Sequence, residues 1–315
     1  MANVTTDKIR QLENKVHLAG ALAELGEVIE GKTANGIPYL SFSGAVQCGP
    51  EAVSTVRFRS FIKSKKSDGT DSKLYANAKE WLKKAVPMTK NTDKPTMVDL
   101  VGSLTDNPFV NNKGELVEGY QYSVQLFGQF KEYAAEIDLE GYIQSIVDET
   151  KGPDSDDTTG RQRMRLISRD IFGNTLDINK IVVPKELVRD LSDAGYEKGC
   201  TTTIYISLTP NEAPAQVKKG GIGKQRVTNG TAYLEWVMTG ASEIIDPDSD
   251  KALDRKLIKD AMTERKNRLD ELKENGYQGG NSNSTPASTS SRNGIGSKSS
   301  TVTMTPIEED DDLPF

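Results

Sequence analysis

The chain has 315 residues, of which 35% are hydrophobic; its mean hydropathy is -0.55, and 46 acidic against 40 basic side chains leave a formal net charge of -6. So modest an apolar fraction cannot pack the whole chain, and an acidic average argues against a nucleic-acid partner unless the cations are gathered in one place. Two cysteines without C-x-x-C spacing, Cys48 and Cys200, and a single histidine, His17, exclude a zinc cluster; no metal or cofactor is expected, and both thiols read as reduced packing residues.

The opening "MANVTTDKIRQLENKV" carries charge where a secretion signal would be apolar. Residues 1–14 read as an N-terminal extension, and His17 is placed ahead of the first strand. The apolar run "LAGALAELGEVI" is short and interrupted by Glu24, so no membrane partner is expected and the chain is read as cytoplasmic, in the host cytoplasm if phage-encoded. Next come a strand pair, "AELGEVIEG" with "IPYLSFSGAVQC", and a third strand, "TVRFRSFIKS". A helix follows with Leu74, Ala78, Trp81, Leu82 and Ala85 on one face, then the strands "MVDLVGSLTDN" and "GYQYSVQLFGQF".

The same order returns. "IDLEGYIQSIVDE" pairs with "RQRMRLISRD", "LDINKIVV" follows, and a helix carries Leu187, Val188, Leu191 and Ala194. "TTIYISLTPNE" and "AYLEWVMTGAS" complete the set, and the two strands that follow the helices both close with Ser-Leu-Thr-x-Asn, at 103–107 and 207–211. Three strands, a helix and two strands is the order of a five-stranded OB barrel. The predicted fold is mainly β: two tandem OB-like five-stranded barrels, at 15–133 and 134–245. An amphipathic helix at 246–276 has Leu253, Leu257, Ala261, Met262, Leu269 and Leu272 at helical spacing and is expected to pack on the second barrel, self-association being the alternative. Residues 277–305 read as a disordered Ser/Thr/Asn/Gly linker, and 306–315 as an acidic tip.

Strand alternation sorts the side chains by face. In "TVRFRSFIKS", Val56, Phe58 and Ile62 fall on the core side and Arg57, Arg59, Phe61 and Lys63 on the other. In "RQRMRLISR", Met164 and Leu166 face in while Arg161, Arg163, Arg165, Ile167 and Arg169 face out. Tyr39 is outward if Leu40 and Phe42 are core. Cations beside aromatic rings suit single-stranded nucleic acid, because the cations track phosphates and a ring stacks on any base. One such strand alone would read as an ordinary solvated face; a second like it favours a binding surface. Lys218, Lys219, Lys224 and Arg226 flank glycines in a loop that would border the same face; no Ser or Thr follows Lys224, which argues against a nucleotide-cradling loop. Asp154, Asp156 and Asp157 lack the spacing of a calcium loop, and no catalytic constellation emerges.

The ending Asp310-Asp311-Asp312-Leu313-Pro314-Phe315 resembles the acidic tip of bacterial and bacteriophage single-stranded-DNA-binding proteins, typically D-D-D-I-P-F after a low-complexity linker. The resemblance implies that these six residues recruit replication, recombination and repair proteins, the terminal aromatic entering an apolar pocket and the carboxylates meeting a basic partner. Bacterial members usually carry one OB domain and form tetramers; two barrels in one chain leave the oligomeric state open. The expected function is non-enzymatic coating of single-stranded DNA, with an OB-fold adaptor or a strand-annealing recombination protein as rivals.

Overall fold

In the computed structural model, which describes residues 8–111, 113–151, 156–212, 216–218, 226–228 and 232–276, the first strand is β1 (Asn14–Leu25). It is buried without a break from Leu18 to Leu22 and therefore shows no alternation. The cause is that three strands share it: β9 (Ala134–Thr150) and β5 (Met97–Asp106) flank its first half and β3 (Pro38–Gln47) its second. His17 thus lies inside a strand, contrary to the sequence expectation, with its Nε2 3.1 Å from Asp99 Oδ1 on β5.

After β1 come β2 (Ile29–Lys32), β3 (Pro38–Gln47), β4 (Thr55–Lys63), α1 (Lys73–Lys84), β5 (Met97–Asp106), β6 (Phe109–Val110), β7 (Leu116–Val117) and β8 (Tyr120–Gln129). Around the first barrel β1 pairs with β3, β3 with β4, β4 in parallel with β8, β8 with β5, and β5 back with β1. One parallel contact between the third and fifth strands closes five strands in the OB order, with α1 between the third and fourth. Ser72 caps α1 by accepting from the Tyr75 amide, and Trp81 on its inner face stacks on Phe42, ring centroids 6.0 Å apart.

The second half repeats the plan with β9 (Ala134–Thr150), β10 (Thr158–Arg169), β11 (Thr175–Val183), α2 (Lys185–Asp193), β12 (Thr201–Glu212), β13 (Gln216–Lys218), β14 (Arg226–Thr228) and β15 (Ala232–Ala241). Here β9, β10, β11, β15 and β12 close the ring, with the parallel contact between β11 and β15. The first strand of each barrel bends against the second at a glycine: a Cβ at Gly20 would sit 2.0 Å from Gln47 O, and one at Gly141 2.6 Å from Ile167 O. Each barrel also carries a short hairpin between its fourth and fifth strands, β6–β7 in the first and β13–β14 in the second.

The barrels are joined by an antiparallel ladder from Asn14↔Leu139 to Ala19↔Ala134. Their apolar interiors form one cluster, and Trp236 of β15 meets Tyr120 and Tyr122 of β8 at 5.7 and 6.4 Å. The last helix, α3 (Arg255–Gly276), lies on the outside of the second barrel as the apolar spacing predicts. Ile258 and Leu253 close over Tyr142 and Ile167, together with Ile9 and Leu12. Ile167 does point out of its barrel, but it is fully buried beneath this helix. Arg265, with its side chain 4% exposed, donates to Thr175 O and pairs with Asp106 and Glu118, and Arg268 pairs with Asp106 as well. Since Asp106 ends β5 and Thr175 begins β11, these bonds tie α3 to both barrels.

Candidate nucleic-acid interface

An OB barrel uses the outward face of its second and third strands, bordered by two loops, for oligonucleotides. In the first barrel that face is β3 and β4, whose register sets Tyr39 opposite Lys63, Ser41 opposite Phe61, Ser43 opposite Arg59 and Ala45 opposite Arg57. The strand alternation holds: Val56, Phe58, Ser60 and Ile62 are buried, while Arg57, Arg59, Phe61 and Lys63 face out. Tyr39 and Phe61 sit diagonally across the pair, their rings 4.8 Å apart and tilted by 31°. The Tyr39 ring leans over Gly31 of β2, where a Cβ would come within 2.6 Å of it, so the glycine leaves the room the ring occupies.

The cations around these rings are uncommitted. Arg57 is 80% exposed and only 3.6 Å from an exposed Glu24, a pair worth little in water. Among the described residues neither Arg59 nor Lys63 makes an ion pair. Three cations against one carboxylate leave the face with a local charge of about +2 on a chain that is acidic overall.

The second barrel differs, which sequence alternation did not anticipate. β10 is the second strand of its barrel whereas β4 is the third of the first, so the two arginine strands are not counterparts in the fold. The β10 guanidinium groups are also already bound. Arg161 lies between Glu149 of β9 at 2.7 Å and Glu235 of β15 at 2.6 Å; Arg163 pairs with the same two carboxylates. Arg165 is held in a fork by Asp177 at 2.7 and 2.6 Å, and Arg169 donates to the carbonyl of Ile9. Burial works to raise the Glu149 carboxyl, but hydrogen bonds from Arg161, Thr159 and Arg163 outweigh it and hold the group below its ordinary range. The Arg161 guanidinium is pushed up in turn by Glu149 and Glu235.

Three of the four guanidinium groups therefore face three carboxylates that cancel their charge, and the fourth, Arg169, is held by a backbone carbonyl. A single trough of free cations across both barrels is not what the described residues form. Three pairings, through β1 and β9, separate β3 from β10, and α3 covers part of the second face.

The loop cations divide. Lys218 and Arg226 face each other in the register of the β13–β14 hairpin, where only the backbone is described; Lys219 and Lys224 lie outside the described residues. Asp310, Asp311, Asp312, Leu313, Pro314 and Phe315 also lie outside them, as does Asp154. Among the described residues no group of three or more His, Cys, Asp or Glu is placed to hold a metal ion, and no helix is long and apolar enough to cross a membrane.

Sequence reading missed the partners Glu149, Glu235 and Asp177. One signal was present: Glu235 interrupts the apolar strand "AYLEWVM", and a carboxylate at such a position requires a cation.

The chain belongs to the YorF family, whose model matches residues 13–275. No curated protein matches it in sequence. Among solved structures it is similar to the wild-type single-stranded DNA binding protein from Thermus aquaticus, at 13% identity and a TM-score of 0.42 over 76% of this chain and 97% of that one. It is also similar to a mitochondrial single-stranded DNA binding protein from S. cerevisiae (14% identity, 39% of this chain and 99% of that one, TM-score 0.23). A Plasmodium falciparum SSB in complex with ssDNA shows 14% identity over 39% of this chain and 92% of that one, with a TM-score of 0.22.

Proposed function

We propose that this member of the YorF family binds single-stranded DNA on the β3–β4 face of its first barrel, without sequence preference and without catalysis. The observation that carries the reading is the Tyr39–Phe61 ring pair, 4.8 Å between centroids, set among Arg57, Arg59 and Lys63 on an OB face where, among the described residues, Glu24 alone pairs with one of these cations. Rings accept bases of any identity and the cations follow the phosphates, so affinity depends on salt and is nearly indifferent to base sequence. The second barrel serves chiefly to brace the first. Its arginines are bound internally, and its core continues into that of the first barrel through Trp236.

The biological setting follows from this activity: the protein coats and protects exposed single strands during DNA replication, recombination and repair, of a bacteriophage in the reading we favour. Residues 310–315 recruit partner proteins, since acidic groups speed encounter with a basic surface and the Leu-Pro-Phe segment supplies an apolar anchor.

The test is a titration of the full chain with labelled oligothymidine and with duplex of equal length. Single strand is bound and duplex is not, or far more weakly. Phe61→Ala and Tyr39→Ala each lose about 1–3 kcal/mol of oligonucleotide affinity, roughly 5- to 150-fold. Equal affinity for single strand and duplex, or full retention of affinity by both variants, removes the proposal.

A further inference from the structure

Between α3 and the outward side of β9 and β10 runs a groove of about 580 Å³. Arg255, Lys259 and Lys266 line it from the helix, Lys198 from the loop after α2, and Tyr142 and Gln144 from β9. All four cations are exposed, and among the described residues none of them makes an ion pair. Three further charges in the wall are already matched, Arg165 by Asp177, and Glu118 and Arg265 by each other.

The helix sorts its charges by side. At 3.6 residues per turn, Arg255, Lys259 and Lys266 fall within an arc of about 40°, whereas Asp260 and Glu264 stand about 140° and 180° from Arg255. Those two acids line a different cavity, on the side of Lys8 and Arg169. Like charges at i and i+4, such as Arg255 and Lys259, destabilise an isolated helix. Among the described residues Asp270, about 60° from Arg255 and one turn beyond Lys266, is the helix carboxylate nearest this side, but it neither lines the groove nor pairs with a groove cation, which points to a counter-charge from outside the chain. Of the apolar residues of the groove, Tyr142, Ile258 and Leu269 are between 3% and 7% exposed, and the half-buried Met262 packs on the cluster beneath the helix, so among the described residues no open pocket awaits a peptide side chain. Cations with no vacant apolar anchor suit a phosphate backbone.

We propose that this groove is a second track for the sugar-phosphate backbone of single-stranded DNA, apart from the ring pair on the first barrel. It rests on the reading that the chain binds single strands and adds a contact surface that strand alternation in the barrels does not disclose.

The experiment compares salt dependence for the full-length protein with an oligothymidine several times longer than the ~4–16 nucleotides one OB barrel covers. One variant carries Lys198→Gln, Lys259→Gln and Lys266→Gln; another carries Arg59→Gln and Lys63→Gln. Losing three phosphate contacts lowers the slope of log K against log salt by about 2, and losing two lowers it by about 1.4. An unchanged slope in the groove variant, with the first-barrel variant weakened, overturns the groove and leaves the first-barrel reading standing. The reverse pattern upholds the groove and overturns the ring-pair site. Amine-reactive footprinting of the unmutated protein decides the matter should the triple variant not fold: Lys198, Lys259 and Lys266 are shielded by oligothymidine. Shielding by a peptide of the sequence of residues 306–315 but not by oligothymidine makes the groove a docking site for an acidic segment and refutes the proposal.

Discussion

Arg161→Gln separates a structural cation from a DNA-binding one. The Arg161 guanidinium bridges Glu149 and Glu235, whose side chains are 13% and 6% exposed, so its removal leaves two nearly buried carboxylates with less compensation. Breaking a fully buried pair costs about 3–5 kcal/mol. Here Arg161 is itself 27% exposed and Arg163 still reaches both acids, so the discounted loss is about 1–3 kcal/mol. Equilibrium urea denaturation followed by tryptophan fluorescence measures it, because Trp236 neighbours Glu235 in β15. Arg59→Gln with Lys63→Gln should leave the unfolding free energy within about 0.5 kcal/mol of the parent protein, since among the described residues neither side chain makes an ion pair. The two variants exchange places when oligothymidine binding is measured: the salt slope stays constant for Arg161→Gln and falls by about 1.4 for the pair. Acid titration adds a signature. Burial opposes ionisation of Glu149, yet the bonds from Arg161, Thr159 and Arg163 prevail and its folded pKa lies below the unfolded one. The stabilisation is therefore complete above the unfolded value of about 4.3 and is lost as pH falls through the folded value, a dependence that Arg161→Gln should weaken. If Arg161→Gln instead lowers the salt slope and leaves the denaturation midpoint in place, the contrast between the two barrels is wrong.

Other outcomes follow from single contacts. Gly31→Ala places a methyl where the Tyr39 ring lies, so it should weaken oligothymidine binding while leaving the circular dichroism spectrum intact, with a loss no larger than that of Tyr39→Ala. The Cys48 thiol, pushed up to about 12 by burial, should resist alkylation at pH 8 in the native protein, whereas the half-buried Cys200 reacts; mass spectrometry of the labelled peptides distinguishes them. Asp106→Asn removes the carboxylate shared by Arg265 and Arg268 and should cost about 2–4 kcal/mol, with amide exchange accelerating first in α3. Deleting residues 306–315 should leave oligothymidine binding intact or tighter and abolish capture of replication proteins; loss of binding with capture retained would contradict the role given to that segment.

Much of the architecture was legible because strand alternation is written locally. The inward side chains of β4, β10 and β12 and the inner face of α1 follow from a period of two or of 3.6 residues, and the order of elements then leaves the OB ring as the matching closure. β1 was misplaced for the opposite reason. A strand shared by two barrels is buried on both sides, shows no alternation, and resembles a short apolar helix or the approach to a strand.

By itself, then, the order of residues determined which side chains leave the barrel surface, that Tyr39, Arg57, Arg59, Phe61 and Lys63 share one outward face, and that the last helix needs an apolar partner. Only the tertiary structure decided which outward cations remain available. Arg161 meets Glu235 across 74 positions of chain, and Lys198 joins Lys259 and Lys266 only when α3 folds back onto β9. Alternation reports the direction of a side chain, whereas charge neutralisation depends on the register of strands that are far apart in sequence, and no local period encodes that register.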